Sequence, residues 1–343
     1  MSEIERFQEE YPSLDSYWRA VILFGRNVAT YKFALGKALL TLADEGKTII
    51  TAEELSVPYA NALCEHLKIE DKQITSRSST FLDACRKFNA QEISRSQLAQ
   101  VTAAKGFNNV LDAFHIVNGL EIPERFFHKR TSRNSNGIIL DDNVFKLREI
   151  VNSQNFDAEI EARWRLVETA WSLSVPANLL TVEYDSELNT LITHDASLRR
   201  KDITSVRAAL NGYQKGKCFY CFGEIDATNE SGDCDVDHFF PHTLQQYTRD
   251  NLDGVWNLVL ACPHCNRGAS GKFAKIPEQK YLERLNKRNN FLVNSHHPLR
   301  ETIIRQTGNS DTERSAFLRQ KDSWAISYMI HRWHPEQEGA PAF

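Results

Sequence analysis

Two chemistries can be read between residues 218 and 272. The first is metal ligation by thiolate. Cys218 and Cys221 form one CxxC pair, Cys262 and Cys265 a second. A CxxC on a tight turn aims both sulfurs at one ion, and two such turns supply the tetrahedral four-sulfur set that zinc prefers. A redox pair would need only one CxxC, set in a βαβ pattern that is missing here. Four thiolates saturate the ion, so this zinc would hold the fold and leave no place for water. The second chemistry lies between the pairs. Asp235-Val-Asp237-His238-Phe-Phe-Pro241 sets an acid beside an imidazole, and Asn257 and Asn266 come after it. Carboxylate and amide oxygens suit a hard cation such as Mg²⁺ or Mn²⁺. Histidine is the side chain suited to take a proton from water near neutral pH. Together they are the equipment of metal-assisted phosphodiester hydrolysis.

These residues need elements to position them. The rhythm of Cys234, Val236 and the Phe pair predicts a strand, and Trp256-Asn257-Leu258-Val259-Leu260 a second, short and apolar. Asn266-Arg267-Gly268 is expected to open a helix. A β-hairpin and a helix pinned by one zinc can bring Asp237, His238 and Asn266 to a common point. Asp235 shares a strand face with Asp237 and is read as a structural hydrogen-bond acceptor, outside the ligand set. His242 and His264 are weaker candidates, and Cys234 reads as a small apolar residue.

The run DVDHFFPH, the midpoint Asn257 and the run CNRGASGK resemble the HNH endonucleases, the ββα-metal class. The likeness is greatest to the HNH domain of the RNA-guided CRISPR nucleases, and it is confined to Cys218–Lys272. The resemblance implies that His238 is the general base and that Asp237 and Asn266 hold the catalytic cation. It also implies that Asn257 orients the base and braces the loop. The product would carry a 5′ phosphate. Arg267 and Lys272 can clamp a phosphate. A different reading uses only the four sulfurs: a zinc-ribbon module that binds nucleic acid or protein without catalysis.

The 343 residues suffice for two or three domains. Residues 1–198 carry 21 Lys and Arg against 28 Asp and Glu, whereas residues 199–343 carry 20 against 17. The basic excess thus falls where a polyanion such as DNA would be cut. The acidic first half motivates a conditional nuclease, of the kind found in restriction and anti-phage defence, triggered by a partner ATPase or sensor. No apolar run approaches the ~20 residues needed to span a bilayer. The start MSEIERFQEE is acidic and polar, unlike a secretory signal. Seven cysteines fit a reducing compartment, so a cytoplasmic protein is expected.

The expected class is α+β: a mostly helical domain over 1–198 and an HNH-like domain with flanking helices over 199–343. Apolar periodicity predicts helix over 14–43, interrupted at Gly25 and Gly36 and stopped by Gly46. Thr51-Ala-Glu-Glu54 is a capping box opening a helix toward Lys68. Further helices are expected at 79–90, 95–105, 107–117, 156–173 and 202–213, with a strand near Ile138-Ile139-Leu140. Residues 178–193 read as two short strands. Pro277 should start a helix. The tail over 297–333 reads as helical, with Trp324, Ile326 and Ile330 in the core. The aromatic stripe Trp18, Phe24, Tyr31 is expected to be core rather than a base-stacking platform.

Overall fold

A computed structural model describes residues 13–24, 28–76, 78–117, 119–131, 136–174, 180–194, 199–228, 232–295 and 297–343. They form two compact units, one within Pro12–Val175 and one within Pro176–Phe343. The protein mixes helices with small sheets, an α+β chain.

The first unit is mainly helical. The 14–43 pattern resolves into α1 (Leu14–Leu23) and α2 (Tyr31–Asp44). Gly25 lies outside the described residues. Gly36 lies inside α2, where an added Cβ would meet Ile22 and Ile160 at 3.3 Å. It therefore lets neighbouring helices approach closely. Gly46, at φ +71°, takes the left-handed turn that ends the α2 segment. After β1 (Ile49–Thr51), the capping box forms as expected. The Glu54 N–H donates to Thr51 Oγ1 at 3.1 Å, and the Thr51 N–H donates to Glu54 Oε2 at 2.9 Å. It opens α3 (Ala52–Ile69), which leads to α4 (Thr80–Asn89) and α5 (Arg95–Val101). The expected 107–117 helix shrinks to α6 (Val110–Ala113), because Ile116–Val117 pairs as β2 with β3 (Leu120–Glu121). The sheet β1-β5-β4 joins Phe127–Arg130 (β4) and Gly137–Leu140 (β5), the strand expected near 138. Helices α7 (Asp142–Glu149) and α8 (Gln154–Ser172) complete the unit. Trp18 and Phe24 are buried, as expected of core residues, whereas Tyr31 is only half-buried.

The second unit starts earlier than the expected boundary at residue 199. The antiparallel pair β6 (Glu183–Asp185) and β7 (Thr190–His194) continues into β8 (Arg200–Ser205), so one sheet ties residues 183–194 to residues 200–205. Residues 178 and 179 of the expected hairpin lie outside the described residues. The helix expected over 202–213 begins only at Val206: α9 spans Val206–Gln214, since Asp202, Thr204 and Ser205 pair with β7 instead, with a bulge at Ile203. Left-handed Lys215 and Gly216 then turn the chain into the first CxxC.

The strands β9 (Asp235–His238) and β10 (Leu258–Ala261) pair antiparallel, with His238 opposite Leu258 and Asp237 opposite Val259. Helix α10 (Pro263–Arg267) comes directly after β10. Proline at its first position starts this helix one turn before the expected point, so Asn266 sits near its end. Pro277 belongs to β11 (Ile276–Pro277), which pairs in parallel with β12 (Arg332–Trp333). Helix α11 (Gln279–Asn294) begins after it, and α12 (Arg300–Thr307) and α13 (Asp311–Tyr328) come next. On α13 the inward face is Arg314, Leu318 and Ala325. Ile330, expected in the core, is 75% exposed because it lies past the helix end. Trp324 and Ile326 are only half-buried.

Candidate active site and metal centre

Bonds of about 2.3 Å to a tetrahedral centre put neighbouring sulfurs roughly 3.8 Å apart. The Cys221 and Cys262 Sγ atoms are 3.8 Å apart, and all four sulfurs lie within 4.8 Å of one another. Among the described residues this is the one cluster of His, Cys, Asp and Glu ligand atoms dense enough for a metal. None of the four cysteines is in a disulfide. The four cysteines can therefore hold a zinc ion. Their close approach alone prevents all four from ionising. The hydrogen bond to Cys218 draws Cys262 down to about 7 and Cys221 lower still. Burial pushes Cys218 up, and its hydrogen bond with Cys265 pushes Cys265 up. A divalent cation relieves that conflict by taking four thiolates at once.

The cluster also anchors the hairpin. The first knuckle donates from the Phe219 N–H to Leu260 O at 2.8 Å. Gln214, at the end of α9, brackets the Leu260 peptide with two 2.8 Å bonds. These bonds fix β10, and through it β9, against the knuckles.

Asp235 and Asp237 leave the same face of β9, and His238 leaves the other. Asp237 is buried and both its oxygens are engaged. The Tyr220 hydroxyl donates to Oδ2 at 2.6 Å, and the Lys272 ammonium to Oδ1 at 3.0 Å. Lys272 is wholly buried and also donates to His238 O at 2.8 Å. Its ammonium is thus committed inside the protein, so it does not reach out to a phosphate as expected. Burial lowers the Lys272 pKa, and Asp237 opposes that shift. Burial raises the Tyr220 hydroxyl well above its ordinary value, with Asp237 adding to the rise.

Asn266 Nδ2 donates to Asp235 Oδ2 at 3.1 Å, and Arg267 Nε to the same oxygen at 2.9 Å. The acid that meets Asn266 is therefore Asp235, which the sequence reading left outside the ligand set. Asp237, His238 and Asn266 make no hydrogen bonds to one another; each has its own partner.

His238 Nε2 lies 2.8 Å from Asp253 Oδ1, and His242 Nε2 lies 3.4 Å from the other oxygen of Asp253. The His238 side chain is 18% exposed. Burial pushes its pKa below the ordinary value, opposed by Asp253. The Tyr184 ring on β6 stands 6.2 Å from the imidazole, centroid to centroid. Its hydroxyl is pushed up to about 12 by burial and by the Asp253 charge.

Asn257 is fully buried. Its Oδ1 accepts from the Phe240 N–H at 2.8 Å, and its Nδ2 donates to Phe240 O at 2.9 Å and Leu252 O at 2.8 Å. It braces the loop between β9 and β10, and no bond runs from its side chain to the imidazole. Sequence reasoning missed Tyr220 and Asp253, whereas Asp235 accepts hydrogen bonds from Asn266 and Arg267 as a structural acceptor should. Tyr220 carried a signal, since it lies inside the first CxxC; Asp253 carried none. Cys234 is buried, and burial pushes its thiol up to about 12, as suits a small apolar residue.

No protein-family model, curated protein or solved structure compared with this chain matches it. Among the described residues no helix is long and apolar enough to cross a membrane.

Carboxylate and amide oxygens are the ligand kinds a hard divalent cation accepts. Two carboxylates lie on one face of β9, and the Asn266 amide meets one of them. Asp237 already faces one cation, the Lys272 ammonium. A divalent ion there would have to share Asp237 with Lys272 or displace it.

Proposed function

We propose that the second unit is a metal-dependent HNH-type endonuclease that hydrolyses phosphodiester bonds in DNA. The observation that carries this reading is a carboxylate-held imidazole, His238, adjacent to a buried acid on a hairpin anchored by four cysteines. A zinc ribbon needs the sulfurs and has no use for that pair. Zinc, held by Cys218, Cys221, Cys262 and Cys265, anchors the hairpin. Asp237 and Asn266 are the proposed ligands of a Mg²⁺ or Mn²⁺ ion, which when bound would offset charge on the leaving oxygen. His238 takes the proton from the attacking water. The exposed guanidinium of Arg267, tethered to Asp235, lies where a phosphate can reach it. Asn257 acts by holding the loop.

The acidic balance of residues 1–198 supports a conditional enzyme, a defence effector released by a partner ATPase or sensor. A cytoplasmic setting, where reduced thiolates persist, belongs to the same proposal. A second reading is favoured by one observation: Lys272 neutralises Asp237, and Asp235 occupies Asn266. On that reading the polar residues are structural and the unit is a non-catalytic binding module. Incubating the protein and His238→Ala with supercoiled plasmid and Mg²⁺ or Mn²⁺ separates the two. Cleavage by wild type, alone or once its trigger is supplied, lost by at least 100-fold in the variant, is expected, and free cleavage without a trigger removes the conditional element. Equal cleavage by both removes His238 from the chemistry.

A further inference from the structure

The loop between β9 and β10 is built around one acid. Asp253 comes after Leu252, whose carbonyl is held by Asn257 Nδ2 at 2.8 Å and whose N–H donates to Gln245 Oε1 at 2.8 Å. The Asp253 N–H donates to Asn251 Oδ1 at 2.9 Å, and Trp256 Nε1 donates to Asn251 O at 3.2 Å. Gly254 comes next, and a Cβ there would lie 2.5 Å from the Trp256 ring. The backbone leading into Asp253 is therefore held by side chains, and Gly254 after it lies close against the Trp256 ring. Its carboxylate is held at one oxygen by the His238 imidazole at 2.8 Å, and the other oxygen lies 3.4 Å from Nε2 of the exposed His242. The three groups come from a strand, the turn after it and the far end of the loop.

We propose that Asp253 is the positioning residue for the general base. Its carboxylate can only accept, so it selects the His238 tautomer that carries a proton on Nε2. The lone pair then stands on Nδ1, the nitrogen with no protein partner among the described residues. In the hydrolytic step Nδ1 takes a proton from water, and the hydroxide oxygen forms a bond to phosphorus. The bond from phosphorus to the leaving sugar oxygen breaks, and that oxygen takes a proton from solvent. Asp253 stabilises the imidazolium until it returns its proton to solvent. A carboxylate that holds a base in one tautomer is worth far more than its hydrogen bond alone. In serine proteases the equivalent Asp to Asn change costs about 10⁴ in kcat, because the wrong tautomer forms.

This inference rests on His238 being the base, and the experiment separates the two ideas. Full-length, zinc-loaded protein with ¹⁵N-labelled histidine gives ring-nitrogen spectra, with His238 assigned by its loss in His238→Gln. At a pH where the ring is neutral, a protonated Nε2 and an unprotonated Nδ1 are expected. In Asp253→Asn that preference should fall away, and kcat on a short DNA duplex should drop by about 10²–10⁴ with KM nearly unchanged. Asp253→Glu should recover part of the rate. Adding Asp253→Asn to His238→Ala should cost nothing further, which a general loosening of the loop would not produce. A proton on Nδ1 in the wild type, or an unchanged kcat in Asp253→Asn, overturns the role of Asp253 and leaves the nuclease reading standing. A wild type that shows neither cleavage nor a protonated Nε2 overturns both.

Discussion

Replacing Lys272 by Met would leave Asp237 in the interior without its cation. The two side chains are 0% and 7% exposed, so water cannot take over the missing charge. Breaking one partner of a buried pair costs about 3–5 kcal/mol. For a unit of this size each kcal/mol moves Tm by about 2–4 °C, so a fall of about 6–20 °C is expected. Calorimetry of the full chain in divalent-free buffer measures it, without chelator, so that zinc stays bound. The second half of the measurement adds Mg²⁺. Where Asp237 is a cation ligand, Mg²⁺ at ten times its Kd should return about 1.4 kcal/mol to the variant by mass action. Wild type should gain less, because its ammonium must first give way. Removing both charges, as in Lys272→Met with Asp237→Asn, should recover most of the loss. A Tm change under about 2 °C in Lys272→Met would refute the buried pair. Equal Mg²⁺ stabilisation of variant and wild type would refute competition between lysine and metal.

Two further predictions concern other parts of the molecule. Cys262→Ser should abolish zinc binding and unfold the second unit, since structural zinc contributes on the order of 10 kcal/mol, comparable with a domain's whole stability; a folded variant that retains one equivalent of zinc by atomic absorption contradicts the cluster. His115, in the first unit, accepts the Phe126 N–H on Nε2 at 3.0 Å and so must be neutral when folded. Burial, with Arg125 adding to it, lowers its pKa to about 4. The unfolded state then binds more protons between about 6.5 and 4. Stability from this group is complete above pH ~6.5 and is lost as pH falls toward 4, by at most about 3 kcal/mol. His66 has the opposite sign. Burial lowers its pKa, but Glu161 and Glu168 outweigh that and raise it, so its contribution is lost as pH rises. Urea unfolding at pH 7 and pH 4.5 should therefore show a smaller acid loss in His115→Gln than in wild type, and equal losses would reject the assignment.

Local codes were legible without a structure. The two CxxC pairs defined the four-sulfur cluster because each turn carries its own two thiols. Thr51 and Glu54 defined a helix start because a capping box closes over three residues. Alternation around Val236 defined β9 for the same reason: a strand's faces are set by its period. Boundaries were less legible where a distant partner decided them. Residues 202–205 joined β7, and Pro263 rather than Asn266 opened α10.

The chemistry of the site divided in the same way. The sequence by itself determined that Asp237, His238 and Asn266 lie on a hairpin and helix framed by four cysteines. Only the tertiary structure decided what each one touches: Lys272 and Tyr220 on Asp237, Asp253 on His238, Asp235 on Asn266. The physical reason is desolvation. Whether an exposed-looking lysine becomes a buried counter-ion, or an unremarkable aspartate in a loop becomes an imidazole's partner, depends on which groups packing removes from water together. That is a property of the folded interior, carried by partners 15 to 35 positions apart in the chain.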